Sequence, residues 1–347
     1  MVRILFMVIL LIVVLVVCLL PLCLCWGMAA LQRSSPCWFI TWRVLGGLVS
    51  LAIVLALCYG FLWGPDRLVT TSYTYAHSEV PQGFDGYRIV QISDWHVGTF
   101  ARHRERVERV VDRVNALQPD LIVFTGDLVN HSASEAEDFE EVLCRLSARD
   151  GIVSVMGNHD YMMYNRDFTQ RKRREHVLRL QQLQRRMGWK LLLNESFTLH
   201  RGGDSIIIAG IESNGNGLEV PNYENYLRQT YEGVSCKGFN ILLSHYPSYW
   251  RSHVLPLSPA VLQLSGHTHA MQLQVCGWSP SSWFYDEWFG LYDMNPSDVA
   301  ATNAISSATE RECPRRSLIV SRGLGGVGTA FRLGAWAEVV EITLKCV

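Results

Sequence analysis

Two long apolar runs open the chain, and an alternating strand-and-helix pattern follows them. Residues 1–26 carry one charge, Arg3, and residues 44–63 carry none. Each run is about 20 residues or longer, enough to cross a hydrocarbon core of roughly 30 Å as a helix. The segment between them, residues 27–43, is short and holds Arg33, Pro36 and Arg43. The pattern predicts a transmembrane helical hairpin. A signal peptide followed by a buried helix fits less well, because the first run outlasts a signal peptide's apolar region and a second span follows at once. The expected organisation is a membrane anchor with two helices over residues 1–68 and a globular domain over residues 69–347.

The rest of the chain has the periodicities of an α/β domain. Residues 70–75 alternate as a first strand, and residues 87–92, 121–125 and 151–156 read as short buried strands. Between them, Val107, Val110, Val111, Val114 and Leu117 fall at helical spacing over residues 102–117. A second helix is expected over residues 134–148, opened by Ser134 and Glu137 as a Ser-x-x-Glu start. Strands alternating with helices of this length imply parallel pairing. A long basic helix is expected over residues 166–190, with Val177, Leu180, Leu183 and Met187 as its apolar stripe. Its other faces carry Arg171, Lys172, Arg173, Arg174, Arg185 and Arg186. These are either a solvated face or a contact for anionic lipid head groups or a phosphorylated substrate. Strand-like runs at 190–193, 197–199, 205–211, 240–244, 261–265, 317–321 and 339–344 read as a second sheet. Residues 278–314 read as a loop-like insertion rich in aromatics. The predicted whole is a two-sheet sandwich with helices outside.

Charge and cysteine content narrow the setting. Lys and Arg number 31 against 32 Asp and Glu, which gives no sign of bulk nucleic-acid binding. Cys18, Cys23, Cys25, Cys37 and Cys58 belong to the membrane part, while Cys144, Cys236, Cys276, Cys313 and Cys346 are scattered beyond it. The spacings do not form a disulfide framework or a zinc-finger pattern, which points to a reducing compartment. Arg3, Arg33, Arg43 and Arg67 are split between the flanks and the connection, so the positive-inside balance does not choose a side. The expected location is a bacterial inner (cell) membrane, with the cysteines tilting the globular domain toward the cytoplasmic side.

Five short stretches carry the chemistry: Asp94-Trp95-His96, Gly126-Asp127, Gly157-Asn158-His159-Asp160, Ser244-His245 and Gly266-His267-Thr268-His269. Nearly all follow an apolar run that reads as a buried strand, so they converge on one edge of a sheet, where α/β proteins place their sites. Asp94 and His96, two residues apart, point the same way on an extended segment. Asp127 is the natural carboxylate to bridge two cations. Asn158 offers an amide oxygen, and His245, His267 and His269 offer imidazoles. This mixture suits Mn, Fe or Zn rather than Ca, and two such ions about 3.5–4 Å apart clamp the oxygens of a phosphoryl group.

In sum the motifs resemble those of the calcineurin-like metallophosphoesterase superfamily, over roughly residues 87–344 and with all five in order. The hairpin, with Ile92-Ser93-Asp94 and Leu264 to His269, is most similar to its transmembrane metallophosphoesterase-domain group, related to bacterial phosphodiesterases and UDP-2,3-diacylglucosamine hydrolases. The resemblance implies a four-layer α-β-β-α sandwich. It implies that Asp94, His96, Asp127 and His269 hold one divalent metal ion and Asp127, Asn158, His245 and His267 a second. His159 would contact the phosphate and protonate the leaving group, with Asp160 orienting it. Trp95 departs from the smaller aliphatic residue of many relatives and is expected to reshape the pocket wall.

The remaining candidates are weaker. His77, His103, His176, His200 and His253 read as structural, and His131, close after Asp127, as a loop residue or a substrate contact. Residues 323–328, Gly-Leu-Gly-Gly-Val-Gly, lack the Gly-Lys-Ser/Thr of a phosphate-binding loop and read as a tight turn near the site. The expected activity is membrane-anchored hydrolysis of phosphoester or pyrophosphate bonds in a phosphorylated small-molecule or lipid substrate, with membrane lipid as the other partner. A soluble phosphodiester, a phosphoprotein, or a non-catalytic scaffold of the same fold are the other readings.

Overall fold

The computed structural model describes residues 2–31, 36–165, 167–213, 222–234, 238–294 and 315–347, with residues 2–14 through their backbone only. The chain divides into two compact units, Met1–Gly64 and Pro65–Val347.

The first unit is two helices, α1 (Val2–Leu31) and α2 (Pro36–Leu62), packed on each other. Arg43 of α2 lays its guanidinium 4.0 Å from the ring centre of Trp26 on α1, a cation–π contact that occupies the one charge on this helix. Helix α2 is long and apolar enough to cross a membrane by length and composition. The described side chains of α1 form a shorter apolar stretch, Leu15–Leu31.

Among the described residues of the second unit, twelve strands form two six-stranded sheets. The first runs in the order β1 (Leu68–His77), β12 (Ala337–Cys346), β2 (Arg88–Ile92), β3 (Leu121–Phe124), β4 (Ile152–Ser154), β5 (Trp189–Leu191). The second runs β10 (Gly290–Met294), β11 (Arg316–Val320), β9 (Leu262–Ser265), β8 (Asn240–Leu243), β7 (Asp204–Gly210), β6 (Glu195–Arg201). Strands β2 to β5 are parallel, as are β7, β8, β9 and β11. Leu121 and Val123 face the second sheet, where they meet Ile208, Ile241 and Leu264, while Ile122 and Phe124 face outward. Both faces are covered, which is the buried strand read from the sequence at 121–125. The outward faces are covered by α3 (Arg104–Ala116) and α6 (Gln170–Arg186) on one side and α7 (Tyr223–Thr230) on the other. The result is the four-layer α-β-β-α sandwich.

Several boundaries and one sheet assignment differ from the sequence reading. The strand expected at 190–193 and the one at 339–344 belong to the first sheet. Strand β5 reaches β4 through the α6 crossover, which delivers a parallel neighbour. Strand β12 returns antiparallel between β1 and β2. The helix expected at 134–148 is two pieces, α4 (Ala133–Glu137) and α5 (Glu140–Leu143). The Ser-x-x-Glu frame is shifted by two: Ser132 stands at the start, and Glu135 reaches back to the amides of Asn130 and His131. Glu137 pairs with Arg179 instead. Helix α6 starts at Gln170, where the Thr169 hydroxyl accepts from Lys172, and stops before Gly188 at φ 81°; Arg166 lies outside the described residues. Within 278–294 the expected loop contains the turn Pro280–Trp283 and strand β10; residues 295–314 lie outside the described residues.

Candidate metal centre

The five stretches leave the C-terminal ends of five parallel strands, β2, β3 and β4 of one sheet and β8 and β9 of the other. Five of their residues, Asp94, His96, Asp127, His267 and His269, have positive φ between 45° and 76°. Non-glycine residues adopt this region at a cost, and such strain clusters where surroundings over-determine a site. Asp94 and His96 do point to one place, but from left-handed backbone rather than an extended segment. Between them Trp95 turns away into the core beneath α3, fully buried. It forms no part of the pocket wall expected of it.

The glycines of the motifs let these loops touch. A Cβ on Gly157 would stand 2.1 Å from Asp127 Oδ1, and one on Gly266 would stand 2.1 Å from Asp94 Oδ2. No other residue fits without displacing those carboxylates.

The donor atoms fall into two groups. In the first, the Nε2 atoms of His96 and His269 lie 3.2 Å apart, with Asp94 Oδ1 3.3 Å from His269 and Asp127 Oδ2 3.6 Å from His96. In the second, His245 Nε2 lies 3.2 Å from Asp127 Oδ2 and 2.9 Å from Asn158 Oδ1, and His267 Nδ1 lies 3.0 Å from the same Asn158 oxygen. Asp127 Oδ2 belongs to both. The set fits cations. His245 Nδ1 is 2.8 Å from the Thr125 carbonyl, which can only accept, so the neutral ring presents a lone pair at Nε2. That lone pair faces a carboxylate and an amide oxygen, and three acceptors around one point call for a positive ion.

The charges agree. Burial opposes ionisation of Asp94 and Asp127, yet the surrounding imidazoles, His269 for the first and His245 and His159 for the second, hold both carboxyls below the usual range. Burial pushes His96 and His267 down to about 3. For His245 burial works the same way, but Asp127 outweighs it and raises the ring to about 9. A proton there occupies the place a cation takes when ligands are stripped of theirs.

His159 lines the cavity beside these groups. Its amide donates to Asp127 Oδ1 at 2.7 Å, and its Nδ1 is 2.9 Å from the Asn130 carbonyl. Its ring stacks on Tyr164, centroids 4.4 Å apart. Asp160 does not orient it. The buried Asp160 carboxylate accepts from the amides of Asp127, Leu128, Val129 and Gly157 at 2.8–3.2 Å. It stitches the loop after β3 to the loop after β4, and the Asn130 carbonyl holds the histidine. Burial and the Asp127 charge raise the Asp160 carboxyl to about 7, against the pull of its amide donors.

The cavity measures about 500 Å³ and is lined by Asp127, Asn158, His159, His267 and His269 together with His131, Tyr164, Met271 and Tyr285. The sequence reading missed Asn130, Tyr164 and Tyr285. The Tyr285 hydroxyl lies 3.1 Å from His267 Nε2, and Asn158 donates to the Tyr164 hydroxyl at 3.1 Å. Only the proximity of Asn130 to Asp127 and of Tyr164 to Asp160 in the chain hinted at them. Residues 323–328 do pack on the site: the Leu324 and Gly325 amides donate to the Asp94 carbonyl at 3.2 and 2.8 Å. His77, His103, His176, His200 and His253 take no part in the donor groups.

An α-β-β-α sandwich with two clusters of Asp and His sharing one carboxylate is the class of dinuclear metallohydrolases. Comparison with known proteins is consistent with it. The profile of the calcineurin-like phosphoesterase family matches residues 87–271. The chain is 27% identical over 312 residues to the "Uncharacterized metallophosphoesterase YkuE" of Bacillus subtilis, covering 87% of this chain and 95% of that protein. It is 28% identical over 271 residues to the "Transmembrane protein with metallophosphoesterase domain" of Danio rerio, covering 77% of this chain and 55% of the other. It is 27% identical over 327 residues to the "UDP-2,3-diacylglucosamine pyrophosphatase LpxG" of Chlamydia muridarum, covering 81% and 92%. The chain belongs to the calcineurin-like phosphoesterase family. It is a metal-dependent phosphoester hydrolase whose clustered Asp and His residues fit two divalent metal ions.

Proposed function

We propose that this protein is a membrane-anchored hydrolase of phosphoester or pyrophosphate bonds in a lipid-linked substrate, of the kind exemplified by UDP-2,3-diacylglucosamine. The observation that carries the hydrolytic part is Asp127 Oδ2 standing within 3.6 Å of imidazoles from both donor groups. The observation behind the lipid part is the apolar helix Pro36–Leu62 in the same chain, with residues 1–68 as the anchor and 69–347 as the catalytic domain. A relative whose printed name is that of a UDP-2,3-diacylglucosamine pyrophosphatase supports the same reading.

In this reading Asp94, His96, Asp127 and His269 hold one ion and Asp127, Asn158, His245 and His267 the other. When bound, such a pair supplies hydroxide near neutral pH and offsets charge on the phosphoryl oxygens. The chain's own residues do the rest. The Asn130 backbone carbonyl accepts from Nδ1–H of His159, so it is a second proton, carried on Nε2, that the ring gives to the departing oxygen. Tyr164, stacked on the ring, fixes its plane. Asp160 keeps the two loops in register and so keeps His159 and Asp127 at a fixed separation.

Metal analysis of the purified full chain, followed by a substrate panel, tests the proposal. The panel holds bis-p-nitrophenyl phosphate, UDP-2,3-diacylglucosamine and a phosphopeptide. The expected result is about two metals per chain and the highest kcat/KM on the diacylated nucleotide. Preference for the phosphopeptide or the soluble diester would overturn the lipid reading, and turnover of none would point to a non-catalytic scaffold.

A further inference from the structure

The loop that follows the last donor histidine is apolar, exposed and fastened to the site. Residues 271–285, Met-Gln-Leu-Gln-Val-Cys-Gly-Trp-Ser-Pro-Ser-Ser-Trp-Phe-Tyr, contain no Asp, Glu, Lys or Arg, in a chain that is 18% charged. Within it Met271, Val275, Trp278, Trp283 and Phe284 are exposed, the last two at 71% and 70%. A surface loop of a soluble domain is ordinarily charged, and a contiguous exposed apolar patch marks a binding surface. The rings of Trp278 and Trp283 pack edge to face, centroids 5.2 Å apart, so this patch is built rather than splayed.

The loop that carries the patch reaches the metal cavity at both ends. Met271 and Tyr285, at its two ends, line that cavity. The Tyr285 hydroxyl lies 3.1 Å from His267 Nε2, the Ser279 hydroxyl donates to the Ala270 carbonyl at 2.7 Å, and the Thr268 hydroxyl donates to the Trp288 carbonyl at 2.6 Å. His269, Ala270, Met271 and Gln272 form a run of positive φ, 45–58°, that swings the chain out from the donor histidine to the patch. A ligand whose phosphate lies among the donor groups therefore meets an apolar, uncharged surface next to it.

We propose that residues 271–284, through Trp278, Trp283 and Phe284 above all, are the platform for the acyl or alkyl chain of the substrate. This deepens the lipid-linked reading and rests on it. The occupant is the chain of the bound substrate molecule and not the bilayer surface at large. The platform has no charge to pair with anionic head groups, and the loop that carries it lines the metal cavity at Met271 and Tyr285.

The test uses the full chain in one fixed detergent and a homologous series of p-nitrophenyl alkyl phosphodiesters with methyl, butyl, octyl and dodecyl chains. The leaving group is constant, and any partitioning into detergent cancels when wild type is divided by variant. For Trp283→Ser/Phe284→Ser the ratio of wild-type to variant kcat/KM is expected to be near 1 for the methyl ester. It should rise with chain length to at least about tenfold for the dodecyl ester, since each fully buried methylene is worth up to about fourfold. Trp283→Leu/Phe284→Leu keeps an apolar surface and should restore most of the loss. Metal content and turnover of bis-p-nitrophenyl phosphate, unchanged in both variants, exclude misfolding as the cause. A ratio flat across the series overturns the platform. If wild type still cleaves UDP-2,3-diacylglucosamine best, the lipid-linked reading stands without it. A ratio flat in detergent but large in vesicles gives the patch to the bilayer surface and overturns the proposal. If wild type shows no gain on any acylated or alkylated substrate, the lipid-linked reading itself fails.

Discussion

The backbone amide of His159 donates to Asp127 Oδ1 over 2.7 Å. This bond takes one oxygen of the carboxylate and leaves the other, Oδ2, as the atom that both donor groups share. It also means that the residue proposed to deliver a proton is tied to the residue proposed to bridge the metals. The two are nevertheless separable by substitution, because His159 is tied to Asp127 through its backbone and would deliver its proton through its ring.

Asp127→Asn retains an oxygen for the His159 amide but loses the charge that serves both groups. The expected outcome is loss of more than one metal equivalent per chain, read by elemental analysis of the purified protein. A variant that keeps two metals and full turnover would remove Asp127 from the bridging position.

His159→Gln leaves the backbone bond to Asp127 in place, so metal content should match wild type. Turnover should fall by roughly 10² to 10⁴, the usual contribution of a positioned acid. The deficit should shrink on p-nitrophenyl esters, whose leaving group needs no proton. Equal losses on good and poor leaving groups would show that His159 does another job.

Asp160→Ala would strip four buried amides of their acceptor. Each unsatisfied buried group costs about 1–3 kcal/mol, so a loss of several kcal/mol is expected, seen as a lowered melting temperature in saturating metal. A residue that only oriented the His159 ring would lower kcat and leave the melt unchanged.

Gly266→Ala places a methyl 2.0 Å from Ser93 Oγ and 2.1 Å from Asp94 Oδ2. The Asp94 carboxylate has to move, and with it the His267 amide that donates to both its oxygens at 3.0 Å. Weakened metal retention during dialysis against a chelator is the expected readout, with Gly47→Ala, a helical position where nothing crowds the added methyl, as the comparison.

His77 gives the fold a pH dependence away from the metals. Its Nε2 lies 2.8 Å from the Arg315 carbonyl and its Nδ1 accepts from the Glu79 amide at 3.0 Å, so the neutral ring is fully used. Burial lowers its pKa. A histidine depressed in the folded state is neutral there while the unfolded chain takes up a proton, so stability is full above the ordinary value of about 6.5 and declines as pH falls toward the folded pKa. Thermal melts of wild type should therefore drop between about pH 7 and 5, and His77→Gln should show a shallower slope. Parallel slopes would assign the acid sensitivity elsewhere.

The element pattern of the catalytic unit was legible because its strands are buried on both faces and its crossover helices carry clear stripes, as in residues 121–124 and Val107 to Val114. Burial forces such patterns into the sequence. Sheet membership was not legible. Nothing local distinguishes β5 or β12 from strands of the second sheet, since pairing partners 37 residues apart for β5 and 249 to 255 apart for β12, Ile89 with Ile342 for instance, are chosen by the crossover and by the packing of the whole sandwich. The shifted helix start at Ser132 shows the same limit at short range: two overlapping Ser-x-x-Glu frames exist, and Arg179, brought across by α6, takes Glu137 out of the competition.

The sequence by itself named the carboxylates and imidazoles that the structure gathers into donor groups. Cation binding needs carboxylate, amide and imidazole groups at the ends of strands, and only a few positions in the chain combine those groups with that place. The tertiary structure alone decided what stands around them. Asn130 rather than Asp160 holds His159, Asp160 pins four amides, Trp95 goes to the core, and Tyr164, Tyr285 and the uncharged loop 271–285 shape the cavity mouth. These roles depend on backbone carbonyls, left-handed turns and contacts between loops far apart in the chain. Such features have no residue signature, because a carbonyl is common to every residue and a ring's neighbours are set by where the loops meet.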